Sequence, residues 1–419
     1  MARAMKDSGI EWIGSIPDSW SISQIGQLYT ERKQKVSDKD YPPLSVTMKG
    51  ILPQLSTAAK SDAHDDRKLL CKGDFAINSR SDRRGSCGIS PYNGSISLIN
   101  TVLTPRDKMH PVYYEWLFHS TMFADEFYKW GHGIVDDLWT TNWQDMKKIT
   151  VPEPPYQEQS RIASFLDAEC GRIDDVIEKT RASIEEYKKL KQAVITRAVT
   201  KGIRPDRPMK DSGIEWIGEI PEDWKKDKIC RLFFTIGSGT TPKSNNDSNF
   251  EGSIHWIQSG DINGSYLTRS KISVSNEVVN KYSALKVYKA PFIIIAMYGA
   301  SIGNTSISKI DGCVNQACCV LCQSNQVLQY FFYALQIAKE YLMWKAVGGG
   351  QPNISQDIVK QLWLPLPSKI EQHRIAAYLD AECARIDALI AQKEQFIVEM
   401  ESFKKSLIFE YVTGKKEVV

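Results

Sequence analysis

The sequence lacks a run of about 18 apolar residues, and its first twelve residues contain no apolar stretch of the kind that a signal peptide requires. It also lacks an excess of either charge, since 53 Lys and Arg against 50 Asp and Glu leave a formal net charge of +3. A protein that wraps nucleic acid over its whole surface is usually more cationic, so any contact with nucleic acid should be local. These absences predict a cytoplasmic protein with no membrane partner.

Metal ligands and redox motifs are scarce. The six histidines are scattered, and the nine cysteines are odd in number and lack the spacing of a disulfide framework, which indicates a reducing compartment. One cluster, Cys313, Cys318, Cys319 and Cys322, includes a C-x-x-C pair that could bind zinc. No second C-x-x-C or histidine pair accompanies it, and the surrounding segment is typical of a buried strand, where cysteine packs as a small apolar residue. We predict a core strand there, and no metal or cofactor in this chain.

Motifs for nucleotide chemistry are also missing. The sequence contains no G-x-x-x-x-G-K-[ST] phosphate loop, which excludes an ATPase of the P-loop class. It has no Gly-rich loop between a strand and a helix that could hold S-adenosylmethionine. The segment Glu153-Pro-Pro-Tyr156 is close to the Asn/Asp-Pro-Pro-Tyr loop of adenine methyltransferases, but glutamate is one methylene longer and the segment precedes a long helix. We therefore favour a non-catalytic chain over a methyltransferase.

The sequence does contain an internal repeat, and self-similarity of this kind indicates a repeated structural unit. Residues 5–20, MKDSGIEWIGSIPDSW, return at 209–224 as MKDSGIEWIGEIPEDW, with 13 of 16 positions identical at an offset of 204. Residues 158–174, EQSRIASFLDAECGRID, return at 371–387 as EQHRIAAYLDAECARID, with 13 of 17 identical at an offset of 213. The stretches between the repeated segments look unrelated. A repeated frame with two different fillings predicts two equivalent arms of different specificity.

The two fillings, residues 21–153 and 225–366, contain short apolar or β-branched runs separated by Gly, Asn, Asp and Pro, which is typical of strands and turns. Each also contains one segment with helical spacing, near Val112–Lys129 and near Val327–Trp344. Each ends in a proline-rich segment that cannot continue a helix or a central strand. The fillings are therefore predicted to be α+β globules. The predicted strands include Phe75–Asn78, Ser95–Ile99, Pro291–Ala296 and Cys318–Leu321.

A long helix is predicted after each globule, over about Glu158–Thr200 and Glu371–Thr413. Residues at seven-residue spacing recur over about four heptads in both, which predicts a coiled coil. Each could be an ordinary amphipathic helix packed on a core. Because both helices have the same seven-residue repeat, we predict instead that they pair with each other, antiparallel and about a pseudo-twofold axis. The fold class is then α+β, with two α/β globules separated by a helix pair roughly 65 Å long. The predicted pairing residues are Leu166, Ile173, Ile177, Ile184, Tyr187, Val194, Leu379, Ile386, Ile390, Ile397, Met400 and Leu407.

Frame, order and motifs together resemble the specificity subunit of type I restriction-modification enzymes over essentially the whole chain. The motifs are the paired GIEWIG-x-IP-x-x-W starts, the paired EQ-x-RIA-x-(F/Y)LD-x-E helix openings and the helix ends Val199-Thr-Lys-Gly202 and Val412-Thr-Gly-Lys415. The resemblance implies target-recognition domains at 1–155 and 205–367, and conserved helical regions at 156–204 and 368–419. Four polar segments are similar to recurrent recognition-domain loops: Asn78–Gly85, Gly237–Pro242, Trp256–Asp261 and Gly348–Ser355.

The resemblance further implies a non-catalytic subunit that recognises a bipartite, asymmetric site on double-stranded DNA. Each recognition domain would contact one half-site in the major groove, and the helices would fix the gap and bind two methyltransferase subunits. Those partners would use S-adenosylmethionine to methylate adenine N6, and two motor-nuclease subunits would add ATP- and Mg-dependent restriction. Half-sites about one helical turn apart, on the order of 34 Å, face one side of a duplex and suit two rigidly spaced modules.

The candidate DNA contacts follow from residue type and lie in polar loops of both fillings. Guanidinium groups could bind phosphate or guanine O6 and N7, hydroxyls and ammonium groups could bind phosphate, and amides could pair with an adenine edge. Each of these loops could instead be a solvated turn. The candidates are Arg80, Arg83 and Arg84 in the first filling, and Thr240, Thr241, Lys243, Gln351 and Asn353 in the second.

Trp12 and Trp216 belong to the repeated frame, so they should pack the start of each domain, because contacts to different targets should not be identical in both arms. Two other functions stay open: the specificity chain of an enzyme that combines cleavage and methylation, and a scaffold whose coiled coil tethers two globules without DNA. Basic loops in both fillings count mildly against the scaffold. A neighbouring gene with an adenine-methyltransferase signature would discriminate against it.

Overall fold

A computed structural model describes residues 3–54, 65–133, 139–243, 247–348 and 352–418. The chain divides into two compact units, Met1–Arg181 with Lys393–Val419, and Ala182–Gln392. The division falls inside both long helices, so each unit combines one globule with the first part of one long helix and the last part of the other. None of the helices in the described ranges has the length and apolar character that a membrane span requires.

The helices include two that are far longer than the rest. The α-helices are α1 (Ile25–Leu28), α2 (Pro111–His119), α3 (Thr121–Lys129), α4 (Trp143–Met146), α5 (Tyr156–Lys201), α6 (Ile229–Leu232), α7 (Asn276–Lys281), α8 (Leu328–Ile337), α9 (Lys339–Trp344), α10 (Gln356–Lys360) and α11 (Lys369–Val412). Short 3-10 helices cover Ser81–Arg83, Asp247–Phe250, Ser259–Asp261 and Gly299–Ser301.

The first globule is built from antiparallel strands. They are β1 (Met5–Asp7), β2 (Ser15–Pro17), β3 (Ser21–Gln24), β4 (Tyr29–Glu31), β5 (Lys35–Val36), β6 (Leu44–Thr47), β7 (Gly50–Pro53), β8 (Arg67–Leu70), β9 (Phe75–Asn78), β10 (Cys87–Ile89), β11 (Gly94–Ile96), β12 (Asn100–Pro105) and β13 (Thr150–Glu153). They form a four-stranded sheet of order β10-β9-β12-β4, a three-stranded sheet of order β11-β8-β5, and the pairs β1-β2, β3-β13 and β6-β7. Strand β9 lies inside its sheet and is buried at every position.

The second globule has a similar arrangement with different sequences. Its strands are β14 (Met209–Asp211), β15 (Glu219–Pro221), β16 (Lys225–Lys228), β17 (Thr235–Gly237), β18 (Ile254–Ile257), β19 (Tyr266–Leu267), β20 (Ile272–Val274), β21 (Phe292–Ala296), β22 (Thr305–Ser308), β23 (Gly312–Val314), β24 (Cys318–Cys322) and β25 (Trp363–Leu366). A five-stranded sheet has the order β17-β24-β21-β22-β19, and a three-stranded sheet has the order β20-β18-β23. The pairs β14-β15 and β16-β25 complete it. In contrast to the first globule, two of its strand pairs, β18-β23 and β19-β22, are parallel.

The predicted strands are confirmed at Phe75–Asn78, 291–296 and 318–321, where the structure has β9, β21 and β24. Strand β11 is shorter than the predicted Ser95–Ile99, because the chain turns back when the N–H of Asn100 donates to the carbonyl of Ser97 at 3.1 Å. The proline-rich exits form β13 and β25, each in a two-stranded pair, and proline is tolerated in such edge positions.

The prediction of one helix near Val112–Lys129 and one near Val327–Trp344 was wrong in that each is two helices. Ser120 ends α2 and caps α3, because its hydroxyl accepts a hydrogen bond of 3.2 Å from the N–H of Phe123. Serine at such a position satisfies a backbone donor that a helix start leaves free. Between α8 and α9 the break lies at Ala338.

The long helices α5 and α11 match their predicted extents to within a few residues. In the first unit their segments are antiparallel, since Arg181 pairs with Glu401 at 2.9 Å and, seven residues earlier on α5, Asp174 pairs with Lys404 at 2.6 Å. The second unit contains an ion pair of 2.7 Å between Lys191 and Asp387, which is the Lys404–Asp174 pair repeated at the offset of 213. Among the predicted pairing residues, the buried ones are Leu166, Ile173, Ile177, Ile184, Leu379, Ile386 and Leu407, and the half-buried ones are Tyr187, Val194, Ile390, Ile397 and Met400.

The repeated hairpin of each unit is joined to the start of the long helix that follows its globule. Trp20 donates its indole N–H to Glu158 at 2.9 Å, and Arg3 pairs with the same carboxylate at 2.6 Å. The tryptophans of the GIEWIG motif pack as predicted. Trp12 is 7% exposed and contacts Phe123 edge to face, with ring centroids 6.0 Å apart, and the half-buried Trp216 stacks on Tyr341 with ring centroids 5.9 Å apart. The frame is therefore a packing unit in which both repeated segments meet.

Candidate nucleic-acid interface

The site in the second unit forms where β21 ends. The N–H of Met297 donates to the carbonyl of Ala317 at 2.8 Å, which extends the pairing of β21 with β24 by one residue. The next residue, Tyr298, forms an isolated bridge with Asn353, and Asn353 exchanges two backbone hydrogen bonds of 3.0 and 2.9 Å with Val347. These backbone contacts hold Asn353 in place while its side chain is exposed and bonds to no residue in the described ranges.

A second loop of this unit, Gly237–Pro242, lies at the same end of the sheet. Its glycines are required by close packing, because a Cβ on Gly239 would lie 1.7 Å from the carbonyl oxygen of Val314. Thr241 donates its hydroxyl to Gln316 Oε1 at 2.6 Å, and Gln316 directly precedes the residue that bonds to Met297. The two loops that contain the candidates of the second filling therefore both lie close to Gln316.

The candidates in this loop differ in which of their hydrogen-bonding groups are already engaged within the protein. The hydroxyl of Thr241 is already engaged by Gln316, and the carbonyl of Thr240 accepts a hydrogen bond of 3.2 Å from the indole of Trp256. Lys243 is exposed, and its backbone N–H donates to the Tyr282 hydroxyl at 3.2 Å. Gln351, which the sequence also suggested, lies outside the described residues.

The site in the first unit forms in the same way at the end of β9. Asn78 Oδ1 accepts a hydrogen bond of 3.1 Å from the backbone N–H of Arg80, which turns the chain into the 3-10 helix Ser81–Arg83. Arg80 forms an isolated bridge with Thr140, and Thr140 exchanges two backbone hydrogen bonds of 3.2 and 3.0 Å with His132. This arrangement repeats the one at Tyr298, Asn353 and Val347.

The three arginines of this loop are restrained to different degrees. Arg80 pairs with Asp82 at 3.1 Å. Arg84 pairs with Asp125 at 2.8 Å, and its guanidinium lies 5.2 Å from the ring centroid of Tyr128. Arg83 is the least restrained, since its side chain is 67% exposed and its contact with Asp82 measures 3.7 Å. Arg83 can therefore turn toward an anionic ligand without giving up a short ion pair.

The structure also identifies residues that sequence inspection missed. Thr140 is one of them. It is separated by 213 positions, the offset of the second repeated segment, from the predicted candidate Asn353, so the repeat could have pointed from Asn353 to Thr140. Tyr298 takes the place that Arg80 has in the first unit, and its side chain is 45% exposed. Trp344 is 70% exposed, with the ammonium of Lys345 4.5 Å from its ring centroid. Exposed aromatic rings beside a cation can stack on bases and contact phosphates.

The cysteine cluster belongs to the core of the second globule. Cys313 lies in β23, the other three lie in β24, and all four are buried. Burial raises the pKa of the Cys319 thiol to about 12 and that of Cys313 to about 11, which disfavours the thiolate that zinc requires. Within the described ranges no group of three His, Cys, Asp or Glu side chains is arranged to hold a metal ion.

Glu153 of the Glu153-Pro-Pro-Tyr156 segment lies in β13, where its carbonyl accepts a hydrogen bond of 3.1 Å from the hydroxyl of Ser21.

The comparisons with known proteins agree in the kind of protein they find. Residues 221–398 match the family described as the type I restriction modification DNA specificity domain. A Methanocaldococcus jannaschii protein assigned to the specificity subunit of type I restriction enzyme MjaX is 27% identical, over 97% of this chain and 96% of its own length. A chain from a structural study of complex assembly and conformational transition of the type I R-M system superposes with a TM-score of 0.75 at 16% identity, covering 96% of this chain and 99% of that chain. The crystal structure of the HsdS subunit from Thermoanaerobacter tengcongensis superposes with a TM-score of 0.53 at 18% identity, covering 96% and 98%.

Proposed function

We infer that this chain, which belongs to the type I restriction-modification specificity subunits, recognises a bipartite, asymmetric site on double-stranded DNA with its two globules. The chain is the DNA specificity subunit of a type I restriction-modification system, and catalysis lies in the partner subunits. One half-site is assigned to the domain at 1–155 and the other to the domain at 205–367. The helical regions at 156–204 and 368–419 set the gap between the half-sites.

One observation carries the proposal more than any other. Both globules hold a loop at the same place, after an inner strand of the main sheet, and fix it through one bridge to a later segment. The bridged residues are Arg80 and Thr140 in the first unit, and Tyr298 and Asn353 in the second. The backbone arrangement is shared and the side chains differ, as two modules with different target sequences require.

The side chains on these loops have the chemistry for both kinds of DNA contact. Asn353 presents an amide that can bond to adenine N6 and N7 in the major groove. Arg83 and Lys243 are exposed cations that suit phosphate oxygens. Arg84 is held by Asp125 and Tyr128, so we assign it to supporting the loop rather than to the duplex.

The partners follow from the same proposal. We assign two methyltransferase subunits, which bind S-adenosylmethionine and modify adenine N6, and two motor-nuclease subunits, which use ATP and Mg for restriction. A deoxyadenosine in each half-site would be the methylated base. This chain supplies the choice of site and the spacing, and its partners supply the reaction.

The test is sequencing of methylated adenine in the host genome with and without this gene. We expect one split motif, with two specified halves and a gap of unspecified bases, to be methylated only when the gene is present. Restoring the gene with Asn353→Ala should relax the second half of the motif and leave the first unchanged. An unsplit motif, or a motif that persists without the gene, would contradict the proposal.

The same experiment discriminates the alternatives. A scaffold without DNA contacts would leave the methylated motifs unchanged on deletion. A combined cleavage and methylation enzyme would also depend on the gene, but would restrict unmodified DNA without the separate ATP-driven subunit. Purifying the complex from the host and testing whether DNA cleavage needs ATP separates that enzyme from the type I arrangement.

A further inference from the structure

In the second unit, two backbone bridges place three side chains in one row. Asn353 is bridged antiparallel to Tyr298 on one side and to Val347 on the other. Residues that lie directly opposite each other in antiparallel strands point their side chains to the same face, with Cβ atoms about 4.5–5.5 Å apart. Tyr298, Asn353 and Val347 therefore form one row about 10 Å long, with the amide in the middle.

The first unit contains an equivalent row of different residues. Thr140 lies in its middle, bridged antiparallel to Arg80 and to His132. Thr140 exchanges two backbone hydrogen bonds with His132, as Asn353 does with Val347. The backbone hydrogen bonds on either side of the other bridge also match, at 2.9 and 3.0 Å in the first unit and at 2.8 and 2.9 Å in the second. The two units thus hold different side chains on the same backbone arrangement.

The side chains of the second row face solvent. Tyr298 is 45% exposed, Val347 is 64% exposed, and Asn353 is exposed as well. None of the three forms a side-chain hydrogen bond or a ring contact with another residue in the described ranges. A single exposed apolar residue needs no explanation, but apolar residues clustered around a polar group mark an interaction site. Trp344, three residues before Val347, is 70% exposed and adds to the apolar character of this segment.

The chemistry of this row fits a stretch of the major groove that contains A·T pairs. Adenine presents N6 and N7 there, to which the amide of an asparagine can bond, and thymine presents a 5-methyl group, which suits an apolar side chain. The spacing of about 4.5–5.5 Å between neighbours in the row is more than the rise of one base pair, about 3.4 Å, and less than the rise of two. With Asn353 on an adenine, Val347 therefore reaches the adjoining base pair.

We propose that Val347 is a specificity-determining residue, which contacts the 5-methyl group of a thymine in the base pair next to the adenine bound by Asn353. The second half-site then contains an adenine and a thymine in neighbouring pairs. Valine has no hydrogen-bonding side-chain group, so it selects thymine over cytosine through the methyl group alone. His132 occupies the corresponding place in the first unit and can bond to a base through its ring nitrogens, so the first half-site is selected differently. This inference rests on the function proposed above.

A protein partner is the competing ligand, because exposed apolar residues also form protein interfaces. A partner that bound both units alike would require similar side chains in the two rows. Instead, Arg80 corresponds to Tyr298, and His132 corresponds to Val347. An apolar protein surface would also leave the amide of Asn353 buried without a hydrogen-bond partner. Two half-sites of different sequence account for both features, so we assign the row to DNA.

The test uses the purified complex of this chain with its methyltransferase subunits, and duplexes that carry the methylated motif of the host. In the half of the motif that Asn353→Ala relaxes, each thymine is replaced in turn by uracil, which lacks only the 5-methyl group. We expect one replacement, next to the adenine bound by Asn353, to weaken binding of the wild-type complex about fourfold, the equivalent of about 0.8 kcal/mol for one buried methyl group.

Val347→Ala should bind the thymine duplex more weakly than the wild type, and uracil at the same position should weaken its binding by less than about twofold, the usual scatter of independent changes. The matched control is Val287→Ala, since Val287 is 38% exposed in the same unit and lies outside the row. It should respond to uracil as the wild type does.

Three results would overturn the proposal. A uracil effect of equal size in the wild type and in Val347→Ala would assign the methyl contact to another residue. No uracil effect in the wild type, or no thymine next to that adenine, would remove the contact itself, and this measurement does not depend on how Val347→Ala folds. Loss of methyltransferase copies from Val347→Ala in native mass spectrometry would assign the row to a protein partner. An unsplit motif would contradict the proposed function, whereas a split motif without the uracil effect contradicts this inference alone.

Discussion

The indole nitrogen of Trp224 donates a hydrogen bond of 2.9 Å to Glu371 Oε2, across 147 residues of sequence. Arg207 pairs with the same carboxylate, and its guanidinium lies 5.6 Å from the ring centroid of Trp224. Burial opposes the charge of Arg207, but its hydrogen bonds and charge interactions with Glu371 and Asp223 together outweigh this and raise its pKa. The three side chains join the repeated hairpin to the first turn of α11, as Trp20, Glu158 and Arg3 join the first hairpin to α5.

Replacing Trp224 with Phe should destabilise the second unit, because it removes a donor from a buried carboxylate. Hydrogen bonds to charged groups contribute about 1.5–3 kcal/mol, so we expect the free energy of unfolding to fall by about 2 kcal/mol. Urea denaturation followed by circular dichroism measures it. Trp344→Phe is the matched control, since Trp344 is 70% exposed and its loss should change stability by no more than about 0.5 kcal/mol. Equal effects of the two changes would rule out a role for the bond.

Replacing Arg83 with Ala should weaken DNA binding to a similar degree on all sequences, because we assign Arg83 to a phosphate. The slope of log K against log salt should become shallower by about 1. Titrations at several salt concentrations, on the methylated motif and on an unrelated duplex, provide the measurement. Arg172→Ala, an exposed arginine on α5, should leave the slope unchanged. A loss confined to one base position would instead assign Arg83 to base recognition, at about 1–3 kcal/mol.

Exchanging residues 21–153 for the corresponding block of another specificity subunit should change one half of the methylated motif. These boundaries keep the paired strands β3 and β13 together inside the exchanged block, and leave Trp20 and Glu158 in the frame. Sequencing of methylated adenine in a strain with the hybrid provides the readout. A change in both halves would mean that the two globules do not act independently.

Inserting seven residues into α5 after Arg181, together with seven into α11 after Gln392, should lengthen the gap of the motif by about three base pairs. A heptad preserves the seven-residue spacing of the seam, and at 1.5 Å per residue it adds about 10 Å, against 3.4 Å per base pair. Both half-sites should stay the same. An unchanged gap with full methylation would show that the helices do not set the spacing.

An insertion between Ala198 and Gly202 should instead abolish folding of the second unit. Ala198 and Val199 are buried in its core, and the hydroxyl of Tyr330 donates to the carbonyl of Val199 at 3.3 Å. Limited proteolysis of the two insertion variants separates these outcomes, because only the variant inserted at Ala198 should be cut within the second unit.

Stability should fall as the pH drops from about 6.5 to 4, partly through His119. Burial, with the nearby charge of Lys404, lowers the pKa of His119 to about 4, whereas an unfolded chain titrates near 6.5. The unfolded state therefore binds the extra proton in this interval, at a cost to stability of up to about 3 kcal/mol, and no contribution remains above pH 6.5. Urea denaturation at pH 7.5 and 4.5 should show a smaller pH effect in His119→Gln than in the wild type. His373→Gln, at an exposed position, should behave like the wild type.

The repeats, the two different fillings and the two long helices could be predicted from the sequence because each is a local or periodic signal. A heptad pattern acts on neighbouring turns of one helix, and the buried strands β9, β21 and β24 are short apolar runs bounded by turn residues. The polar loops at Arg80 and Gly237 could also be recognised as candidate contacts from composition. The break at Ser120 was missed, because a serine within a helical pattern becomes a cap only when packing turns the chain there.

What only the tertiary structure decided is which distant residues share a site. Thr140 and Asn353 reach Arg80 and Tyr298 through backbone bridges between loops that lie far apart in the sequence, and no pattern of one loop predicts its partner. The structure likewise determined that Arg84 and Thr241 are engaged within the protein while Arg83 and Asn353 are available. Residue type states what a side chain can bind, but the packing around it determines whether that capacity is already used, because hydrogen-bonding groups are satisfied by whichever partners the fold brings near.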